Sequence, residues 1–190
     1  MCIRDREKGF ARMIDYIDQD VGRILSTLKE LKIDDNTIVM FSSDNGPHQE
    51  GRHKMEFFDS NGPLRGMKRD LYEGGIRVPF IARWPESVPA KKVSHHISGF
   101  QDMFPTLLEL AQIELEHELD GISMVPTLLG KKGQRKHDFL YWEFGERGGA
   151  TAVLKGDWKG VRRNTRKNPD APIELYNLKN DFAETTNLAE

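Results

Sequence analysis

Asp44 and Asn45 stand side by side just after Thr37-Ile38-Val39-Met40-Phe41, an unbroken run of apolar and β-branched residues. Such a run without alternation predicts a fully buried parallel strand, and in open α/β sheets ligands bind outside the carboxyl ends of strands. A carboxylate beside a carboxamide offers hard oxygen donors, the preference of Ca²⁺ or Mg²⁺, and Gly46 lets the chain turn away sharply. Ca²⁺ takes roughly six to eight oxygens, so further ligands must come from elsewhere in the fold. Taken alone, Asp-Asn-Gly after a strand is also an ordinary turn.

A second stretch follows. Leu64-Arg65-Gly66-Met67-Lys68 runs on to Tyr72-Glu73-Gly74-Gly75-Ile76-Arg77-Val78-Pro79. On composition alone Arg65 and Lys68 are solvated loop charges, and an Arg and a Glu around a Gly-Gly bend more often brace a loop than do chemistry.

The order Ser43-Asp44-Asn45-Gly46-Pro47-His48, then Gly62-Pro63-Leu64-Arg65-Gly66-x-Lys68-x-x-x-Tyr72-Glu73-Gly74-Gly75-x-Arg77-Val78-Pro79, closely resembles the C-terminal half of the sulfatase family, within the alkaline-phosphatase-like superfamily. Later landmarks of that family follow in the same order. They are Phe80-Ile81-Ala82-Arg83-Trp84-Pro85, Asp102-x-x-Pro105-Thr106-Leu107-Leu108, Asp120-Gly121-Ile122-Ser123, and Glu174-Leu175-Tyr176-Asn177-Leu178 running to Asn187-Leu188-Ala189.

The resemblance implies roles only where residues match. Asp44 and Asn45 fall on the family's pair of divalent-cation ligands, which face two carboxylates of an earlier strand. Lys68 falls on the lysine that contacts the sulfate and its leaving-group side. A sulfate ester's departing oxygen gains negative charge in the transition state, so a fixed ammonium or metal ion aimed there lowers the barrier. His48, two residues past Gly46, is near enough to the metal corner to touch substrate. The irregular loop from Gln49 to Asn61 would suit a sulfated sugar, with Phe57 or Phe58 stacking on the ring and Arg52 or His53 meeting an anionic group. The bland reading of His53 is a surface histidine, and of Phe58 a loop anchor.

The family's nucleophile is a formylglycine made from the first residue of a Cys/Ser-x-Pro-Ser-Arg pentad. Cys2-Ile3-Arg4-Asp5-Arg6 lacks the proline, and Ser87-Val88-Pro89-Ala90-Lys91 ends in Lys and follows the metal motif. Neither is a credible nucleophile. The expectation is therefore the C-terminal part of a sulfatase cut from a longer chain, inactive by itself. Two rivals stand beside it: a phosphoesterase of the same superfamily, and a non-catalytic sulfoglycan-binding module or pseudoenzyme that keeps the sulfate contacts. Asp44-Asn45 in place of a histidine-rich cluster favours one hard cation over the first rival.

The elements that must position these residues are legible in outline. Apolar residues recur from Phe10 through Ile14, Ile17, Val21, Leu25 and Leu28 to Leu31, a helical stripe over about Glu7 to Leu31 that should pack on the sheet. Asp15 and Asp18 belong to its solvated face. Asp34-Asp35-Asn36 is the turn into the strand, and Val78 to Trp84 reads as the next buried strand. A helix from Asp102 to Ala111 has Asp102 as its N-cap, and the adjacent His95 and His96 point to opposite faces of an extended chain, which rules out a shared ion.

Short strand candidates at 139–144, 150–154, 158–161 and 173–176, split by Gly, Asn and Pro turns, predict an antiparallel sheet. The fold class expected is thus α/β: the C-terminal part of an alkaline-phosphatase-like parallel or mixed sheet with helices over 1–130, then a small antiparallel-sheet domain over 131–190. Met1 to Arg6 reads as a foreign end.

Hydrophobic content of 37%, charged content of 31% and a net charge of −2 fit a soluble globular chain, and no basic stripe interleaved with aromatics points to nucleic acid. No run approaches the length of a membrane span. One cysteine excludes an internal disulfide. The partner expected is a sulfated small molecule or glycan, and the resemblance suggests a periplasmic or extracellular home.

Overall fold

The computed structural model describes residues 3–114 and 116–189. Met1 and Cys2 of the expected foreign end lie outside them. Helix α1 (Ile3–Glu30) runs through the rest of that stretch without a break. The other elements in chain order are β1 (Val39–Ser42), α2 (Met55–Phe58), α3 (Glu73–Ile76), β2 (Phe80–Arg83), α4 (Met103–Leu110), α5 (Val125–Leu128), β3 (Leu140–Phe144), β4 (Ala150–Lys155), β5 (Trp158–Arg163) and β6 (Ile173–Asn177). The chain forms two compact units: Met1–Thr27, Ser42–Phe80 and Tyr141–Glu190 make the first, Leu28–Phe41 and Ile81–Leu140 the second.

The first unit is built on a four-stranded sheet of order β3-β4-β5-β6. Alternation decides its faces. Ala152 and Leu154 of β4, and Val161 of β5, point inward, whereas Val153 and Lys155 point out. Lys155 pairs with Trp158 in the antiparallel β4–β5 register, so Gly156 and Asp157 form a two-residue hairpin turn, with Gly156 at φ +59°. The core gathers Leu71, Tyr72, Ala152, Val161 and Tyr176, with Ile76, Trp142, Phe144, Ala150 and Leu178 packed around it. Leu71 and Tyr72 come from the loop after Lys68, which anchors that loop to the sheet.

Helix α1 carries Gln19–Asp15 (2.8 Å) and Arg23–Asp20 (3.0 Å) side-chain bonds along its outer face. It ends in a Schellman motif. Ile33 N–H bonds Leu28 O and Lys32 N–H bonds Lys29 O, both at 3.0 Å, with Lys32 at φ +57° where glycine is usual. The apolar stripe, expected to be packed, is largely in solvent: Met13, Ile14, Ile17 and Ile24 are each about half exposed. Periodicity marks which face of a helix is apolar without supplying an element to cover it.

β1 and β2 pair as a two-stranded sheet, and neither is the fully buried strand its composition suggests: Phe41 is 40% exposed and Ile81 60%. Arg83 at the end of β2 grips Asp34 with two bonds of 2.6 and 2.7 Å, and Trp84 Nε1 donates to Asp35 O. That fork holds the Asp34 carboxyl below its usual range. Asp102 precedes α4, but its side chain does not cap the helix. Fully buried, it accepts from Gly99 N–H (2.8 Å), Ile122 N–H (2.7 Å) and His137 Nε2 (2.7 Å), tying three loops together. Thr106 in turn receives Met124 N–H at 2.8 Å. His95 is exposed and His96 half-buried, where burial lowers its pKa.

Candidate functional site

Strand β1 stops at Ser42, whose Oγ donates to Pro79 O (3.0 Å), and Ser43 Oγ donates to Asn45 O (2.8 Å) to tighten the turn that follows. The two sequence motifs are then joined by main-chain bonds. Gly46 N–H donates to Gly75 O (2.8 Å), Lys68 N–H to Pro47 O (2.8 Å), and Gly74 N–H to Arg65 O (2.7 Å). The backbones approach so closely that a Cβ on Gly46 would meet Gly74 O, and one on Gly75 would meet Asp70 O. Glycine is required by contact here.

Asp44 is exposed and makes no hydrogen bond or ion pair among the described residues. Asn45 commits its Nδ2 to Gly46 O (3.1 Å), which leaves its Oδ1 as the available acceptor. Together they present two hard oxygen donors at the strand end, the right chemistry for Ca²⁺ but too few ligands. No group of three or more His, Cys, Asp or Glu among the described residues is arranged to hold a metal.

Lys68 and His48 share a cavity of about 200 Å³ with Gln49, Glu50, Met67, Arg69 and Arg147. Lys68 Nζ is 3.4 Å from Glu50 Oε2, Arg69 donates to Glu50 Oε1 at 2.7 Å, and Glu50 N–H donates to His48 Nδ1 at 2.9 Å. The Arg69 bond, with Lys68 beside it, lowers the Glu50 pKa. Arg52 and His53 do not line this cavity. Arg52 is exposed at φ +64°. His53 is 6% exposed, its ring stacked on Phe10 at 4.4 Å and its Nδ1 3.1 Å from Glu50 O. Phe58 packs on Phe10 at 5.4 Å, while Phe57 is 63% exposed. A larger hollow of about 700 Å³ in the second unit, beside Pro105, Leu108 and Ile113, is lined by none of Asp44, Asn45, His48, Arg52, His53 and Lys68.

The loop carrying Lys68 is braced by groups that composition did not single out. Lys159 is fully buried, its Nζ 2.8 Å from Glu73 Oε1 and 3.0 Å from Glu184 Oε1. The second contact lacks hydrogen-bond direction, so it is an ion pair alone. Glu184 Oε2 accepts Glu73 N–H at 2.6 Å. Burial raises the Glu184 pKa against the pull of Lys159. Arg65, expected as scaffold, lies over the Tyr72 ring at 3.9 Å and donates to Tyr176 Oη (2.7 Å) and Glu184 O (3.0 Å). Both Tyr72 and Tyr176 donate to Glu174 Oε2 at 2.6 Å. One signal for Lys159 was present in the sequence: it stands two residues before Val161 in a strand, hence on the same inward face.

A family model described as Sulfatase matches residues 8–113, and one described as N-sulphoglucosamine sulphohydrolase, C-terminal, matches residues 66–190. N-acetylgalactosamine-6-sulfatase of Canis lupus familiaris is 40% identical over 133 residues, covering 66% of this chain and 24% of that protein. The crystal structure of Ps i-CgsB in complex with k-i-k-neocarrahexaose superposes with a TM-score of 0.82 at 31% identity, over 97% of this chain and 39% of that one. BT4656, solved with its substrate D-glucosamine-2-N,6-O-disulfate, gives a TM-score of 0.74 at 27% identity over 92% and 34% of the two chains. The chain thus spans about a quarter of the length of the curated relative. With one family model covering the Asp44-Asn45-Gly46 turn and the other running from Gly66 through Lys68 to residue 190, this chain belongs to the sulfatase family.

Proposed function

We propose that this chain supplies the cation and sulfate-gripping side of a sulfatase active site, for hydrolysis of a sulfate ester on a carbohydrate to the alcohol and hydrogen sulfate. What carries the reading is the main-chain bonding of the Asp44-Asn45-Gly46 turn to the Lys68 and Gly74-Gly75 loop. Those bonds tie the turn that bears two oxygen donors to the loop that bears an ammonium. Asp44 and Asn45 would hold a Ca²⁺, with Mg²⁺ the alternative, whose remaining ligands lie outside these 190 residues. When bound, such an ion offsets the sulfate's charge as the ester bond breaks.

The chain's own residues do the rest of the work assigned to it. Lys68 binds the sulfate and steadies negative charge on the departing oxygen. Its contact with Glu50 is 3.4 Å and partly exposed, loose enough for a bound anion to replace. His48 lines the same cavity from the Pro47 side and touches the sugar portion. Arg52 and His53 are assigned to the substrate loop, His53 by shaping it from beneath. The formylglycine nucleophile that the family resemblance implies is assigned to none of these residues. The family resemblance suits a periplasmic or extracellular setting; no described helix is long and apolar enough to cross a membrane.

In a longer version carrying the nucleophile, Asp44→Ala with Asn45→Ala is expected to abolish bound calcium, read by elemental analysis, together with turnover. Unchanged calcium would remove the metal assignment. Lys68→Ala is expected to cut turnover at least about a hundredfold with calcium intact, the scale of losing one transition-state charge contact. A wild-type rate would make Lys68 a loop charge only.

A further inference from the structure

Lys68 and Arg69 are consecutive, yet both reach the same carboxylate, Lys68 at Glu50 Oε2 and Arg69 at Glu50 Oε1. In extended chain such neighbours point to opposite faces. Here Arg69 adopts φ +78°, which swings its side chain to the Lys68 side. Across the cavity stands Arg147, in the turn between β3 and β4, with no hydrogen bond or ion pair among the described residues. Glu146 beside it comes within 3.7 Å of Arg69 Nε but is itself 71% exposed. The lining therefore holds three permanent cations against the single carboxylate of Glu50. One sulfate monoester carries one negative charge, so after Lys68 has taken it an unmatched positive charge remains.

Resting on the assignment of Lys68 to the scissile sulfate, we propose that Arg69 and Arg147 form a second anion subsite that selects glycans bearing another anionic group close to the ester. Glu50 shows how a carboxylate is held in this cavity, one oxygen to Lys68 and the other to Arg69. Both a second sulfate and a uronic carboxylate have that chemistry. Arginine's planar fork suits either, because each presents two oxygens in one plane to two N–H donors. Arg147 comes from the sheet and Arg69 from the motif loop, so the subsite exists only when the first unit is folded.

The test titrates this chain by calorimetry at low salt with three disaccharides of one backbone. The first carries one sulfate, the second two sulfates, and the third one sulfate and one carboxylate. The doubly anionic probes are expected to bind about ten- to a hundredfold more tightly than the first, the range for one additional charge-assisted contact. Whichever of the two binds more tightly identifies the second group. In Arg69→Gln and in Arg147→Gln the ratio of doubly to singly anionic affinity should fall to near one; Arg147 is exposed, so its variant is expected to fold. A wild-type ratio near one, or a high ratio untouched by both substitutions, overturns the subsite while leaving the Lys68 reading in place. Absence of binding for the monosulfated probe, equal in Lys68→Ala, removes that reading and the subsite with it.

Discussion

Lys159 holds its ammonium where water does not reach, between Glu73 and Glu184. Removing one member of a buried ion group strands the others, so Lys159→Met is expected to lose about 3–5 kcal/mol of unfolding free energy, measured by denaturant titration. A loss below about 1 kcal/mol would mean the group is hydrated. Two carboxylates share that one cation, and burial lifts Glu184 above its ordinary 4.5. A carboxyl whose folded pKa is raised binds its proton more tightly when folded. Its favourable contribution is therefore full below the unfolded value and is lost as pH rises through the folded one. Denaturation midpoints should accordingly fall more steeply with rising pH in wild type than in Glu184→Gln, and parallel curves would refute the assignment. Lys159 was within reach of strand alternation, but Glu184 was not: its burial depends on a partner 111 residues away at Glu73.

At the scale of elements, the four strands of the antiparallel sheet and helix α4 were legible, because turn residues and periodicity bound them locally. The burial of α1, β1 and β2 was not. Periodicity tells which face of a helix is apolar, and composition tells that a strand prefers a dry place; neither says what covers them. Asp102 stands at the N-cap position of α4, as its residue type suits, but its carboxylate is drawn off the helix by Gly99 N–H three residues earlier and by Ile122 and His137 from distant segments. The candidate site was legible only as two motifs, and the bonds that join them became visible in the fold. Those bonds make a prediction. Gly75→Ala places a methyl against Asp70 O and Met67 O, and should lower stability by about 1–3 kcal/mol, the usual range for overpacking. If its melting temperature matches wild type, the loops are looser than described.

At the scale of the molecule, α1 leaves Met13, Ile14, Ile17 and Ile24 half in water on one helix. Contiguous apolar surface of this kind associates. The 190-residue chain is expected to sediment as concentration-dependent oligomers, and Ile14→Glu with Ile17→Glu to shift it toward monomer; a monomer at all concentrations in the unsubstituted chain would contradict this. The first unit is also discontinuous, assembled from three stretches of sequence. A ribosome releases Glu73 and Lys68 long before Glu184, whose carboxylate fastens Glu73 from 111 residues downstream. At about 5–20 residues per second, the Gly46–Gly75 corner waits on the order of ten seconds in the nascent chain before its brace is synthesised. Maturation of this corner is therefore timed by a residue made 111 positions after Glu73.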